Sequence, residues 1–175
     1  MWLVRGSTVE PMTSAKPLTT PVSHTLPSPL GDITLELEGD ALVRLSIHDG
    51  PAVSTESAPE HSLLAQIVEQ LMEYFNGQRQ DFDVPVALEG TAFQQDIWQA
   101  LLDIPYGHTL SYGELGAAAG HPGSARAVGG AVGANPIPII VPCHRIMGAN
   151  GAITGYSGGS GIATKQWLLE KERAA

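Results

Sequence analysis

The chain has one cysteine, Cys143, in 175 residues, so an internal disulfide is excluded and oxidation adds nothing to its fold. A reducing, intracellular setting is expected. No apolar run approaches the roughly 20 residues needed to span a bilayer, and the first residues lack the basic end and continuous apolar centre of a signal peptide. The expectation is a soluble, cytoplasmic protein. Basic residues are also scarce, nine Lys and Arg against 18 Asp and Glu, for a net charge of -9. That sum argues against a polyanionic partner, but its distribution does not: residues 1–90 carry 4 basic and 13 acidic side chains, and 91–175 carry 5 and 5. Only the second half is free to face phosphates.

What is present centres on that cysteine. Ile139-Ile140-Val141-Pro142-Cys143-His144-Arg145 is an apolar run that ends at a thiol flanked by proline, imidazole and guanidinium. A free thiol titrates near about 8.5, and cationic or imidazole neighbours make its thiolate accessible closer to neutrality. The competing reading is a buried cysteine acting as a small hydrophobe. The polar residues directly after it weigh against that reading.

The length suits one domain or two small ones. Residues 1–27 are rich in Pro, Ser and Thr without a sustained period and read as a flexible arm, in which Leu3-Val4-Arg5-Gly6-Ser7 resembles a cloning remnant and Met12 a candidate start. From Ser28-Pro29-Leu30-Gly31 the chain turns into Ile33-Thr34-Leu35-Glu36-Leu37-Glu38, whose alternation marks a half-buried strand. Gly39-Asp40 then turns it into Leu42–Ile47, giving a hairpin. Pro51 to Pro59 reads as a loop, and Leu63, Leu64, Ile67, Val68, Leu71, Met72 and Phe75 recur at helical spacing up to Gly77, so one face of that helix should cover the sheet.

The second half begins with two capping-box spacings. Thr91 to Gln94 opens a helix carrying Phe93, Ile97, Trp98, Leu101 and Leu102, stopped by Pro105-Tyr106-Gly107; Ser111 to Glu114 opens a shorter one through Ala119. A turn over Gly120–Gly123 leads to a third helix from about Ser124 to Ala134, ended by Asn135-Pro136, and the pair makes a helix-turn-helix candidate. That third helix, Ala125-Arg126-Ala127-Val128-Gly129-Gly130-Ala131-Val132-Gly133-Ala134, is poor by intrinsic preference, since each interior glycine costs about 1 kcal/mol relative to alanine. Such a slender surface serves close approach of another backbone, whether a DNA groove or a packed helix. Pro136 to Pro142 is expected to run extended and buried, delivering Cys143 to a fixed place. Gly148–Gly161 holds six glycines and Tyr156-Ser157-Gly158-Gly159, a loop able to close over a ligand. A last helix carries Trp167, Leu168 and Leu169, then Glu170 and Glu172, either of which could turn inward.

Pro142-Cys143-His144-Arg145, preceded by Asn135-Pro136-Ile137-Pro138 and by Arg126-Ala127-Val128-Gly129, resembles the O6-alkylguanine-DNA alkyltransferase family, from about Ser28 to Glu172. The resemblance implies an α+β fold: a small N-terminal β-sheet with a covering helix, ribonuclease H-like, over 28–88, then a mainly helical DNA-binding and active-site domain over 89–175. It implies a suicidal repair protein, a single-turnover methylated-DNA–protein-cysteine methyltransferase. This would move an alkyl group irreversibly from O6-alkylguanine in double-stranded DNA, with O4-alkylthymine as a second candidate lesion, to Cys143. His144, oriented by Glu172, matches the base that acts through water on the thiol; the spacing after Trp167-Leu168-Leu169 selects Glu172 over Glu170. Arg126 matches the arginine that fills the space of the extruded nucleotide, and Tyr112 the tyrosine that turns the 3′ phosphate and contacts the base. Ala127 and Gly129 belong to the helix that enters the minor groove. The carbonyls of Cys143 and Ile146 match acceptors for the guanine amino group, the backbone of Ser157 a donor near the alkylated oxygen, and Asn135 the asparagine that organises the turn into the active-site strand.

No diffusible cofactor is implied, and the protein is expected to act as a monomer, away from membranes. The zinc of some relatives is not expected, since the N-terminal part has no cysteine. Two further departures are the Gly158–Ala163 stretch, longer than the family's loop, and Gly133-Ala134, where relatives often carry a basic residue. The alternatives are a lesion sensor without repair, which would lack the cysteine, a helix-turn-helix regulator, which would need a basic recognition helix, and a cysteine hydrolase, for which no oxyanion-hole pattern stands out.

Overall fold

A computed structural model describes residues 2–5, 8–11, 22–50 and 61–173. The chain separates into two compact units, residues 1–88 and 89–175. In the first, β4 (Ile33–Glu38) and β5 (Ala41–Ile47) form the antiparallel hairpin that the alternation foretold. Ile33, Leu35 and Leu37 are buried, while Thr34, Glu36 and Glu38 are half-exposed, as a sheet with one covered face requires. β6 (Pro85–Val86) runs parallel to β5, pairing Leu42 with Val86. α1 (Ser62–Phe75) buries Leu64, Ile67, Leu71 and Phe75 of the expected stripe together with Tyr74, while Leu63 and Val68 are half-buried and Met72 is exposed. It ends in a Schellman arrangement, in which Gly77 at φ +76° donates to the Tyr74 carbonyl (3.0 Å) and Gln78 to that of Glu73 (2.8 Å).

The segment expected to be a flexible arm contains three strands. β3 (Val22–Leu26) pairs antiparallel with β4, from Val22 opposite Leu37 to Leu26 opposite Ile33. β1 (Trp2–Arg5) pairs with β2 (Thr8–Pro11) and with β6, which gives the sheet order β2-β1-β6-β5-β4-β3. Val22-Ser23-His24-Thr25-Leu26 is apolar only at its two ends and shows no two-residue alternation of burial, so cross-strand pairing is what defines it as a strand. The residues read as a cloning remnant thus fall partly in β1. The candidate start at Met12 and the loop from Pro51 to Pro59 lie outside the described residues.

Before β4, Gly31 adopts φ +99°, and a Cβ there would sit 2.2 Å from the carbonyl oxygen of His48. Both the left-handed backbone and the close approach demand glycine. Gly31→Ala should therefore destabilise the first unit by about 2–4 kcal/mol, read as a lowered first transition in calorimetry. An unchanged transition would contradict the packing.

In the second unit α2 (Ala92–Leu102) and α3 (Tyr112–Ala118) both begin with complete capping boxes: Thr91 with Gln94, and Ser111 with Glu114. α4 (Ala125–Gly133) packs against α2 and α3. Its glycines weaken it intrinsically, and Trp98 helps hold it from outside: the buried indole Nε1 donates 2.8 Å to the Ala131 carbonyl. β7 (Leu110–Ser111) pairs with β8 (Ile146–Met147), which ties the start of α3 to the chain just past Cys143. α5 (Ile162–Arg173) closes the unit.

Candidate active site

Cys143 opens a single 3₁₀ turn, Cys143–Arg145, and the segment before it does not run extended as expected. Instead it doubles back: the Val141 amide donates 2.9 Å to the Ile137 carbonyl, and Ile139 sits at φ +74°. For a β-branched residue that conformation costs on the order of 1–3 kcal/mol, and surrounding structure must impose it. Asn135 supplies part of the constraint. Its Nδ2 donates 2.8 Å to the Val141 carbonyl, and its Oδ1 accepts from the Ile137 amide at 3.0 Å. The prolines that forbid helix here also permit a turn, which sequence alone did not distinguish from a strand.

Behind the thiol lies a buried ionic cluster. His144 is wholly buried, and its Nε2 lies 2.8 Å from Oε1 of Glu172, itself 3% exposed. Glu170, by contrast, is exposed and pairs with Gln166. Arg145 grips the same Glu172 carboxylate, Nη2 at 2.9 Å from Oε1 and Nε at 3.0 Å from Oε2, while its Nη1 donates 2.5 Å to the Ile104 carbonyl. The Gly107 amide donates 3.1 Å to Oε2. Burial alone would raise the Glu172 carboxyl, but the hydrogen bonds and charges of His144 and Arg145 outweigh it and hold the group well below the usual carboxylate range. The His144 Nδ1 has no protein hydrogen-bond partner among the described residues.

Burial pushes the Cys143 thiol up to about 11, while the Asn135 side chain, the Lys165 charge and local backbone amides pull the other way. The expectation that flanking cations make the resting thiolate accessible near neutrality is therefore corrected. His144 and Arg145 are both committed to Glu172, so neither presents charge to the sulfur.

Burial above all, helped by the Arg145 and Lys165 charges, holds His144 below its ordinary value of 6.5, although the hydrogen bond and charge of Glu172 act to raise it. Because the folded value is the lower one, His144 contributes stability above the unfolded value, and that contribution is lost as pH falls below it. Thermal stability should decline between pH 7.5 and 5, and His144→Asn should flatten that decline. An equally steep decline in the variant would contradict the assignment.

The remaining expected residues lie on α3, on α4, in β8 and in the glycine-rich loop. Arg126 and Ala127 are exposed on α4. A Cβ at Gly129 would lie 3.9 Å from the Tyr112 ring, and the Tyr112 hydroxyl donates 3.3 Å to the Thr154 carbonyl, so Tyr112 bridges α4 and the glycine-rich loop. Ser157 is exposed, with its hydroxyl 3.4 Å from the Gly133 carbonyl. Ile146 is buried, and its carbonyl already accepts from Lys165, with capacity for a second donor.

Sequence reasoning missed Lys165 and the hold that Arg145 and Gly107 have on Glu172. Lys165 is fully buried, and its ammonium also reaches the carbonyls of Thr154 (2.7 Å) and Gly155 (3.5 Å), which fastens the loop to the strand after the thiol. A signal for it existed: Lys165, Leu168, Leu169 and Glu172 follow helical spacing along one buried face of α5. Tyr156 was passed over as loop. Its hydroxyl is buried without a protein partner among the described residues, and burial, then Cys143, raise its phenol well above the ordinary value. No cluster among the described residues could hold a metal ion.

Two family models match the chain: the 6-O-methylguanine DNA methyltransferase ribonuclease-like domain over residues 22–88, and the DNA binding domain of the same name over 92–174. A Methylated-DNA–protein-cysteine methyltransferase of Mycobacterium bovis is 48% identical over 153 residues, 86% of this chain and 92% of that protein. The constitutive Bacillus subtilis protein of that name is 44% identical over 155 residues, 85% of this chain and 93% of its own. Among solved structures, Mycobacterium tuberculosis O6-methylguanine methyltransferase aligns at TM-score 0.78 and 43% identity, covering 89% of this chain and 94% of that one. The Mycobacterium tuberculosis OGT solved in complex with DNA aligns at TM-score 0.75 and 47% identity, covering 87% and 92%.

Proposed function

Because the chain belongs to the 6-O-methylguanine DNA methyltransferase family, we propose that it repairs DNA by moving an alkyl group from the O6 of guanine to Sγ of its own Cys143. The observation that carries this reading is a single buried thiol on a tight turn, followed at once by His144 hydrogen-bonded to Glu172, in the same unit as a helix-turn-helix.

The chemistry is a direct displacement. His144 Nδ1, through an intervening water, takes the thiol proton while Glu172 holds the opposite ring nitrogen. Sulfur attacks the alkyl carbon, the S–C bond forms as the C–O6 bond breaks, and the electron pair leaves with guanine. Guanine is neutralised by one proton, so the thiol proton replaces the alkyl group in the overall balance. The thioether has no good leaving group, so each molecule acts once.

A duplex buries the lesion within its stack, and the base must be extruded to reach the thiol. Arg126, the one long side chain on the slender face of α4, takes the vacated space, and Tyr112 turns the adjoining phosphate. The Cys143 and Ile146 carbonyls receive the guanine amino group, and the Ser157 backbone donates to its oxygen. O4-alkylthymine is a second candidate lesion. We place this activity in the cytoplasm, with the protein acting as a monomer; no helix among the described residues is long and apolar enough to cross a membrane.

Electrostatics contributes little to the encounter. Of the five basic residues in 89–175, Arg145 and Lys165 are buried, which leaves Arg126, Lys171 and Arg173. With slopes near 0.9 per phosphate contact, log affinity for duplex DNA should fall with log salt no more steeply than about 3, measured by fluorescence anisotropy. A slope twice that would place the binding face elsewhere. The activity itself is tested by nucleoside analysis of a duplex carrying O6-methylguanine. Loss of the lesion, matched by restored guanine and stopping at one per protein molecule, supports the reading, and an undiminished lesion with folded protein overturns it.

A further inference from the structure

Glu172 is shared. Its carboxylate receives His144 on one side and the bidentate fork of Arg145 on the other, and Arg145 in turn donates to the Ile104 carbonyl and lies with its guanidinium carbon 5.7 Å from the centre of the Tyr106 ring. The Gly107 amide fills a further acceptor position. A lone buried carboxylate facing an imidazole would draw a proton onto the ring and could swing between partners. A fork of fixed geometry prevents both, since it neutralises the charge and sets the carboxylate plane.

We propose that Arg145 is a positioning residue for alkyl transfer, which holds Glu172 in the orientation that aims His144 and keeps that histidine in its neutral, proton-accepting form. The proposal rests on the His144–Glu172 reading above and assigns Arg145 a role exerted mainly by holding and neutralising Glu172, beside the direct effect of its charge on the ring. The groups facing this histidine and carboxylate are few: Cys143, His144 and Arg145 on the 3₁₀ turn, Tyr106 and Gly107 at the corner after α2, and Lys165 and Glu172 on α5. Among these charges Arg145 and Lys165 disfavour the imidazolium and Glu172 favours it. Removing Arg145 leaves the carboxylate to act on His144 opposed only by Lys165 and burial.

The test compares wild type, Arg145→Met, Arg145→Lys, Glu172→Gln and the double variant Arg145→Met/Glu172→Gln. Two readouts are taken from pH 5.5 to 9: single-turnover methyl transfer from an O6-methylguanine duplex, and ¹⁵N NMR of the His144 ring. Arg145→Met should move the His144 titration and the acid limb of the rate profile upward by at least about one pH unit, so that the rate at pH 6 falls about tenfold or more. Arg145→Lys, which keeps the charge but loses the fork, should leave the titration near wild type and slow transfer at every pH. In the Glu172→Gln background, removing Arg145 should move the His144 titration clearly less than it does in wild type, because only the direct effect of its charge is then lost. Superimposable His144 titrations in wild type and Arg145→Met would overturn the proposal, and so would a shift in the Glu172→Gln background as large as that in wild type. If Arg145→Met does not fold, the Arg145→Lys profile and the double variant, in which both buried charges are gone, decide on the same terms. If wild type transfers no methyl group, the functional reading fails, while the His144 titrations still decide what Arg145 does to the ring.

Discussion

Glu172→Ala is expected to lower the rate of alkyl transfer by about 10² to 10⁴-fold, the usual worth of a positioned acid–base group, and to destabilise the second unit by about 3–5 kcal/mol. The two losses have different origins. The kinetic one follows from the 2.8 Å contact with His144, without which the ring has no fixed orientation toward the thiol. The thermodynamic one follows from Arg145, which would remain buried beside Tyr106 with its carboxylate gone. Glu172→Gln separates them, since an amide still accepts one hydrogen bond and occupies the space, so it should retain more stability than alanine while transfer remains impaired. Single-turnover kinetics and denaturant unfolding check both parts, and a Glu172→Ala protein with wild-type rate and stability would remove the cluster from the account.

Arg126→Ala should weaken repair of O6-methylguanine in duplex DNA by about 10²-fold or more, while reaction with free O6-benzylguanine stays within about threefold of wild type, because only the duplex substrate must have its base extruded at a cost of several kcal/mol. Arg126 is exposed and far in role from the buried cluster, so its loss should leave folding intact. The comparison is made by competing the two substrates against one protein sample. Equal losses on both would show that Arg126 does not act in extrusion.

The parts of the fold that sequence made legible are those specified by local rules. Thr91 with Gln94 and Ser111 with Glu114 mark helix starts because a reciprocal cap needs only four consecutive residues, and both caps form. The stripe from Leu64 to Phe75 is likewise a local period. Val22–Leu26 escaped because it carries no alternation of its own and is defined by the strand it pairs with. The turn at Ile139 escaped for a different reason: its positive φ goes against the preference of a β-branched residue, and side-chain bonds from Asn135 help to impose it.

The site divides in the same way. Cys143 could be proposed from its sequence neighbours, and His144 with Glu172 from the family resemblance, and the structure brings the last two into contact. Arg145 reads in sequence as one more cation beside a thiol, and only the three-dimensional arrangement shows its charge spent on Glu172. That difference reverses the expected effect on Cys143, whose burial dominates once its neighbours are neutralised. A resting thiol that gives up its proton only through a relay fits a protein that must react once, at a lesion.

The central claim is that Cys143 is the single acceptor. The most direct measurement is the intact mass of the protein after exposure to excess duplex carrying O6-methylguanine, with peptide mapping of the product. The account expects a gain of one methyl group, never two, located on the peptide containing Cys143 and absent from Cys143→Ala. An unchanged mass in folded protein, or a methyl group on any other residue, would contradict it.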